Sequence, residues 1–172
     1  MSEEITIREA IPTDAAQMLT VIKKINAETS YLVMDENIQR LTKEEVADNL
    51  AALYSSSNNI TLLALNNEKI IGLASVKASS EQRMSHIGEI GISLLSDYWG
   101  FGLSSILLEE IIQWAKNTYL IRRLELSVQK RNQRAFHLYK KFGFKIEAEM
   151  LRGFQTKDGE FLPVYLMSLL ID

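Results

Sequence analysis

Residues Gly88 to Lys116 read GEIGISLLSDYWGFGLSSILLEEIIQWAK, and the rest of the chain is arranged around them. The stretch opens as a strand, with Ile90, Ile92 and Leu94 alternating with smaller or polar residues. It breaks at Ser96-Asp97-Tyr98-Trp99, passes through Gly100-Phe101-Gly102 and becomes a helix. On that helix Leu103, Leu107, Ile111 and Trp114 form one stripe, and Glu109, Gln113 and Lys116 another. A strand that runs through glycines into a helix leaves backbone N–H groups unpaired at the helix start. Those donors, with the positive end of the helix dipole, favour a phosphate. Gly88 and Gly91 lie inside the strand, where glycine lowers stability. Strand glycines often mark a bulge or the close approach of a ligand or second backbone. The combination predicts a long, phosphate-bearing ligand along the strand end and the loop.

Composition narrows the classes. A chain of 172 residues suits a single domain, residues 1–172, and can bury a sizeable core. Apolar residues make up 47% and charged residues 24%, as in ordinary globular proteins. The net charge of −3 gives no sequence-wide basic field, so nucleic acid is not an expected partner. The absence of cysteine excludes disulfides, thiolate nucleophiles and Cys-ligated metals. His86 and His137 are too few for a His-rich zinc site, so no metal is expected. The start, MSEEITIREA, is acidic and lacks the apolar core of a signal peptide. No apolar run reaches the length of a membrane span. The expected setting is cytoplasmic, with no membrane partner.

Ile5 and Ile7 alternate with Thr6 and Arg8 as a first strand, and Pro12-Thr13-Asp14 signals a helix start. Met18, Leu19, Ile22 and Ile25 follow at helical spacing. Glu28 to Arg40 is irregular. Thr42-Lys43-Glu44-Glu45 has the form of a capping box and opens a helix through about Tyr54. Strands Ile60–Leu65 and Ile70–Lys77 are joined by Asn66-Asn67-Glu68-Lys69, a hairpin signal. After the central helix come a strand from Arg123 to Val128 and a short helix from Asn132 to Phe142. Ala135, Leu138, Tyr139 and Phe142 form the apolar face of that helix, and Gly143 closes it. Two last strands, about Phe144–Phe154 and Phe161–Ile171, flank the turn Lys157-Asp158-Gly159. The fold class is therefore α/β with a mixed sheet, in the order β-α-α-β-β-β-α-β-α-β-β.

DYWGFGLSSILLEEII, Asp97 to Ile112, resembles the acyl-CoA loop of the GNAT superfamily of N-acetyltransferases. That pattern is Gln or Arg, two residues, Gly, one residue, then Gly or Ala. It falls here on Trp99, Gly102 and Ser104, with Gly100 an additional family-like glycine. Ser104 is small enough for close approach. Trp99 cannot form the hydrogen bonds of Gln or Arg, but an aromatic here is familiar in the branch resembling ribosomal-protein N-acetyltransferases. SVQKRNQRAFHLYKKFGF, Ser127 to Phe144, is similar to a second family segment through Asn132, Ala135, Leu138, Tyr139, Gly143 and Phe144. Asn132 and Tyr139 stand two helical turns apart, about 10 Å along the axis. The element order matches the GNAT fold, so the resemblance spans essentially the whole chain.

The resemblance implies acetyl-CoA as co-substrate and direct transfer to an amine in a ternary complex. Backbone groups of Ile92 and Leu94 would hold pantetheine as an extra strand, and the N–H near Ile92 would stabilise the oxyanion. Gly100, Phe101, Gly102, Leu103, Ser104 and Ser105 would hold the pyrophosphate. Asn132 would contact the coenzyme arm, Tyr139 would protonate the leaving thiolate, and Glu89 would deprotonate the amine, directly or through water. Plainer readings stand beside these. Asn132 reads equally as a helix N-cap, Tyr139 as a core residue, and Glu89 as the partner of a base such as Arg8. Lys130, Arg131 and Arg134 would attract phosphates, and would equally suit a solvated helix start.

The family's acceptor groove corresponds to roughly residues 28–48 and 154–165. Glu28, Asp35, Glu36, Glu44, Glu45 and Asp48, against Arg40 and Lys43, would draw a small cationic amine, with Tyr31, Phe154, Phe161 and Tyr165 as aromatic walls. Acidic residues that begin a helix also simply favour its dipole. Alternatives are a peptide or ribosomal-protein N-terminal acetyltransferase, and a non-catalytic acyl-CoA-binding module. A Rossmann dinucleotide site fits poorly, because the glycines follow several strands and Ser105 replaces a third glycine. A P-loop lacks its Gly-Lys-Ser/Thr ending. A homodimer is compatible with the family.

Overall fold

The computed structural model describes residues 4–31 and 40–172. Strands β1 (Ile5–Glu9), β2 (Ile60–Asn66), β3 (Lys69–Ala78), β4 (Ile87–Leu94), β5 (Arg123–Gln129), β6 (Lys145–Gln155) and β7 (Phe161–Leu170) form one sheet. Their spatial order is β1-β2-β3-β4-β5-β7-β6. The α-helices among the described residues are α1 (Ala15–Glu28), α2 (Lys43–Ser55), α3 (Leu103–Thr118) and α4 (Gln133–Lys141). The chain order is the one the sequence predicts, and boundaries differ by a residue or two.

Local chemistry sets several element ends. The expected capping box begins α2: Glu45 N donates to Thr42 Oγ1 at 3.1 Å, and Thr42 N to Glu45 Oε2 at 2.7 Å. The start of α1 is fixed by Asp14, whose carboxylate accepts both Arg8 guanidinium nitrogens at 2.8 Å and the Ile11 N–H at 2.8 Å. Those bonds, chiefly Arg8's, hold the Asp14 carboxyl below the usual aspartate range. The β2–β3 hairpin turns through Asn67 at φ 56°, and the β6–β7 hairpin through Gly159 at φ 87°.

Register assigns the faces. Val76 stands opposite Ile90 and Ala74 opposite Ile92, so these residues share one side of the sheet. α3 lies on that side, where Trp114 meets Ile60 and Leu62. α4 shares it, because Phe136 stacks 5.4 Å from Tyr165, the register partner of Val128. Leu107, Leu108, Ile111, Ile121 and Leu124 are fully buried in this layer, each contributing roughly 1.5–3 kcal/mol of apolar burial. The opposite face carries α1 and α2, which bring Met18, Ile22, Val46 and Leu50 over Leu73 and Ser75.

The sheet is forked. Among the described residues β4 and β5 are its one parallel pair, and they are joined only at Ile87–Arg123, Gly88–Leu124 and Glu89–Glu125. Beyond Glu89, β4 continues to Leu94 paired with β3 alone, and β5 continues to Gln129 paired with β7 alone. The expectation of a bulge at the strand glycines is corrected here. The β3–β4 register runs without interruption from Gly72–Leu94 to Ala78–Gly88. Gly88 is instead required by packing, since a Cβ there would press into Val76 and Leu124. The strands part by losing rungs between β4 and β5, not by an inserted residue.

Candidate active site

Glu89 sits on the last rung of the fork. Its side of the sheet carries Ser75, Lys77, Gly91, Ser93, Ser127 and Gln129, which line a cleft of about 530 Å³ roofed by α1 and α2. Glu89 is exposed in it. The expected alternative partner, Arg8, is held by Asp14 instead. Glu125, directly across the rung, is bound by Arg123 at 2.7 Å. Among the described residues no ion pair holds Glu89, so the carboxylate at the fork point is left to the cleft. Lys77 is its cross-strand partner in β3, on the same face and likewise without an ion pair among the described residues. Lys77, Ser75 and Gln129 escaped the sequence reading. The available signal was the polar alternation of Ser75 and Lys77 along an otherwise apolar strand.

Ile92 lies beyond the fork point and contributes to the cleft lining, while Leu94 is buried against Gly72 at the end of β4. Backbone groups of this segment directed toward β5 have no strand partner among the described residues. The chain then makes a 3-10 turn at Ser96–Tyr98. Trp99 pins the turn by donating its indole N–H to Leu94 O at 3.0 Å. That bond gives a structural account of the aromatic at this position.

Gly100 and Gly102 have φ of 87° and 77°, the left-handed region that side chains disfavour. Gly102 is the N-cap of α3 and offers no side-chain acceptor, and the first turn of the helix is Leu103, Ser104 and Ser105. Leu103 is buried and anchors the turn, whereas Phe101 is 74% exposed. A Cβ on Gly102 would meet nothing within 4 Å. Free N–H donors beneath open space are what a phosphate requires. Across the loop, a Cβ on Gly100 would lie 3.7 Å from an Arg134 guanidinium nitrogen. Lys130 is paired with Glu149 at 2.8 Å, and Arg131 is bonded to Gln129 at 2.8 Å. Of the basic cluster, Arg134 is therefore the one beside the glycine loop.

Asn132 is the N-cap of α4, its Oδ1 accepting from Ala135 N at 3.3 Å. Tyr139 is 8% exposed, with its ring edge-on to Phe144 at 5.7 Å. Both plain readings therefore describe real contacts. Among the described residues no hydrogen bond holds the Tyr139 hydroxyl, and burial pushes its pKa up to about 12. Asn132, Tyr139 and the glycine loop do not line the Glu89 cleft. They belong to the other face, and the fork is the opening between the two.

The acidic residues expected to form an acceptor groove divide. Glu28 accepts the Ser96 N–H at 2.7 Å and Glu45 belongs to the capping box. Glu44 and Asp48 are exposed outside the cleft lining. Asp35 and Glu36 lie outside the described residues. Of the aromatic walls, Tyr31 and Phe154 line the cleft. Among the described residues no group of His, Asp and Glu side chains is placed to hold a metal, and no helix is long and apolar enough to cross a membrane.

Comparison with known proteins gives the family. The sequence profile of the acetyltransferase (GNAT) family matches residues 25–144. The chain belongs to the GNAT acetyltransferase family. It is 30% identical over 107 residues to the L-amino acid N-acetyltransferase AaaT of Escherichia coli, covering 62% of this chain and 65% of that protein. The crystal structure of a GNAT-family acetyltransferase from Streptococcus pneumoniae superposes with a TM-score of 0.94 at 45% identity, over 98% of this chain and 100% of that one. yncA from Salmonella typhimurium, solved with its cofactor acetyl-CoA, shares the fold at a TM-score of 0.84 and 20% identity, over 98% and 95% of the two chains.

Proposed function

We propose that residues 1–172 act as one cytoplasmic domain that transfers an acetyl group from acetyl-CoA to a small primary amine, directly and in a ternary complex. The carrying observation is the fork that opens at Glu89, with the glycine loop and the N–H groups of the first turn of α3 following the end of its β4 arm. The residues present fit the coenzyme. The backbone of Ile92 and the N–H of Leu94, which have no partner in β5, suit an extended amide-bearing arm, and Gly100 to Ser105 with Arg134 suits a pyrophosphate. Asn132, with Oδ1 engaged as the cap, keeps its amide N–H groups for the arm. Acetyl-CoA supplies an activated acyl carbon with a thiolate leaving group.

Glu89 takes the proton of the incoming ammonium from the cleft face. The N–H near Ile92 donates to the acyl oxygen. Tyr139, a neutral phenol kept so by burial, donates a proton from the opposite face through the fork. The two proton carriers thus stand on different faces of one sheet, matching an amine that enters on one side and a leaving group that departs on the other.

The acceptor reaches Glu89 as a cation at its amino group. A specific observation refines its class: Lys77 stands directly across from Glu89, with side chains on adjacent strands about 5 Å apart at Cβ. An anion and a cation side by side favour an amine with a neighbouring carboxylate, as in an amino acid, over a polyamine. The name of the Escherichia coli relative agrees with this reading. A homodimer through the exposed edge strand β6, where Leu151 is 79% exposed, belongs to the same proposal.

The test is coenzyme A release from acetyl-CoA across L-amino acids, their amides, polyamines, aminoglycosides and peptide N-termini. Amino acids should exceed their own amides, and Lys77→Met should remove that preference. Equal rates for acid and amide would return the acceptor to a simple cationic amine. No release with any amine would leave a coenzyme-binding module.

A further inference from the structure

The last turn of α1 and the three residues after it touch both arms of the fork. On the β4 side, the Glu28 carboxylate accepts the N–H of Ser96, where the strand gives way to the glycine loop. On the β5 side, Gln129 Nε2 donates to the carbonyls of Ser30 and Tyr31, each at 3.2 Å. Gln129 is only 4% exposed, and its Oε1 accepts from Arg131 Nε. Arg131 extends the same grip, 3.4 Å from Ser30 O and Oγ and with its guanidinium 5.2 Å from the Tyr31 ring centre. A buried amide thus commits its donors to a segment remote in sequence and its acceptor to Arg131, which grips the same segment.

We propose that residues 28–31 are a strap tying the β4 arm to the β5 arm, with Glu28 and Gln129 as its positioning residues. The strap couples coenzyme binding in the fork to the acceptor wall. The inference rests on the coenzyme reading above. Below Glu89 the arms are held by their shared rungs; beyond it, the strap bonds Ser96 on one arm and Gln129 on the other. An arm-shaped ligand must fit the width so fixed, and a ligand that favours the strapped width tightens the strap by the same free energy. Tyr31 belongs both to the strap and to the cleft lining, so the acceptor wall is ordered when the fork is filled. The chain from Gln129 through the Asn132 cap to Arg134 links the same anchor to the glycine loop.

Amide hydrogen exchange with coenzyme A as the probe tests this. Coenzyme A should slow exchange both in the glycine loop and in residues 28–31, the latter by about fivefold or more, the usual size of site-to-site coupling. Gln129→Met keeps the length of the side chain but removes both donors, and Glu28→Ala removes the other anchor. In either variant the loop should still be protected and the strap should not. Glu28→Gln, which keeps an oxygen for the Ser96 N–H, should behave like the parent. With the best amine of the panel, the two loosened variants should raise KM about tenfold and leave kcat within about threefold, the split expected when binding rather than chemistry is lost. Loop protection with the strap unchanged in the parent, or full strap protection in both loosened variants, overturns the strap alone. Protection of neither segment overturns the coenzyme reading and the strap with it.

Discussion

Tyr139 shows how a residue can satisfy a plain reading and still have chemistry to perform. Its ring packs in the core against Phe144, yet its hydroxyl is held by no hydrogen bond among the described residues. Burial opposes the phenolate and raises the pKa from 10.0 to about 12. Between those values the folded chain keeps a proton that the unfolded chain has lost, so stability falls as pH rises through that window. Tyr139→Phe should abolish this decline, worth on the order of 2 kcal/mol by pH 12, in alkaline melting curves. It should also lower turnover about 10-fold to 10³-fold with coenzyme binding intact. Unchanged turnover where chemistry limits the rate would leave Tyr139 a core residue. Glu89 is the reverse case, exposed and without an ion partner among the described residues. A primary ammonium near pKa 10.4 must be deprotonated to attack. Glu89→Gln should therefore slow the reaction most at the acid end of the pH–rate profile, and a profile superposable on the parent's would remove Glu89 from the mechanism.

At the scale of elements, the sequence spoke clearly wherever a signal was local. The Thr42–Glu45 box, the turn at Asn67 and the glycines at positions 100 and 102 each act through their own backbone, so their spacing sufficed. The glycines inside β4 carried a weaker message, because only neighbours distant in sequence distinguish a bulge from tight packing. Val76 and Leu124 decide the matter at Gly88, and neither is near it in the chain. The same limit applies to the basic cluster: contacts with Glu149 and Gln129, not composition, leave Arg134 beside Gly100. Gly102 permits a direct test. The substitution Gly102→Val puts its Cβ where no described atom lies within 4 Å. It should cost about 1–2 kcal/mol for a left-handed φ and leave a folded protein. The branched side chain would occupy the space above the free N–H groups, and calorimetric titration with coenzyme A should show binding lost. Retained affinity would place the phosphates elsewhere.

For the whole molecule, the element order was legible from periodicity, but the fork was not. Nothing in the residues of β4 or β5 announces that their pairing ends at Glu89, since that depends on how two strands diverge across the sheet. The cleft was likewise out of reach, because its polar lining comes from β3, β4 and β5 and its roof from α1 and α2. A molecule built around such an opening has fewer sheet rungs at its centre than a closed sheet would have. A ligand that bridges the open arms should therefore act on global stability and not on the loop alone. At about 100 times its dissociation constant, a ligand that binds only the native state adds about 2.7 kcal/mol. For a domain of this size that raises Tm by roughly 5–10 °C. Acetyl-CoA and coenzyme A should both produce this shift, because the arm and phosphates are common to them. NAD and ATP share the phosphates but lack an extended amide-bearing arm to enter the fork, and should leave Tm within about 1 °C at the same concentration. A shift with NAD and none with acetyl-CoA would mean that the fork is not a coenzyme A site, whatever the glycine loop resembles.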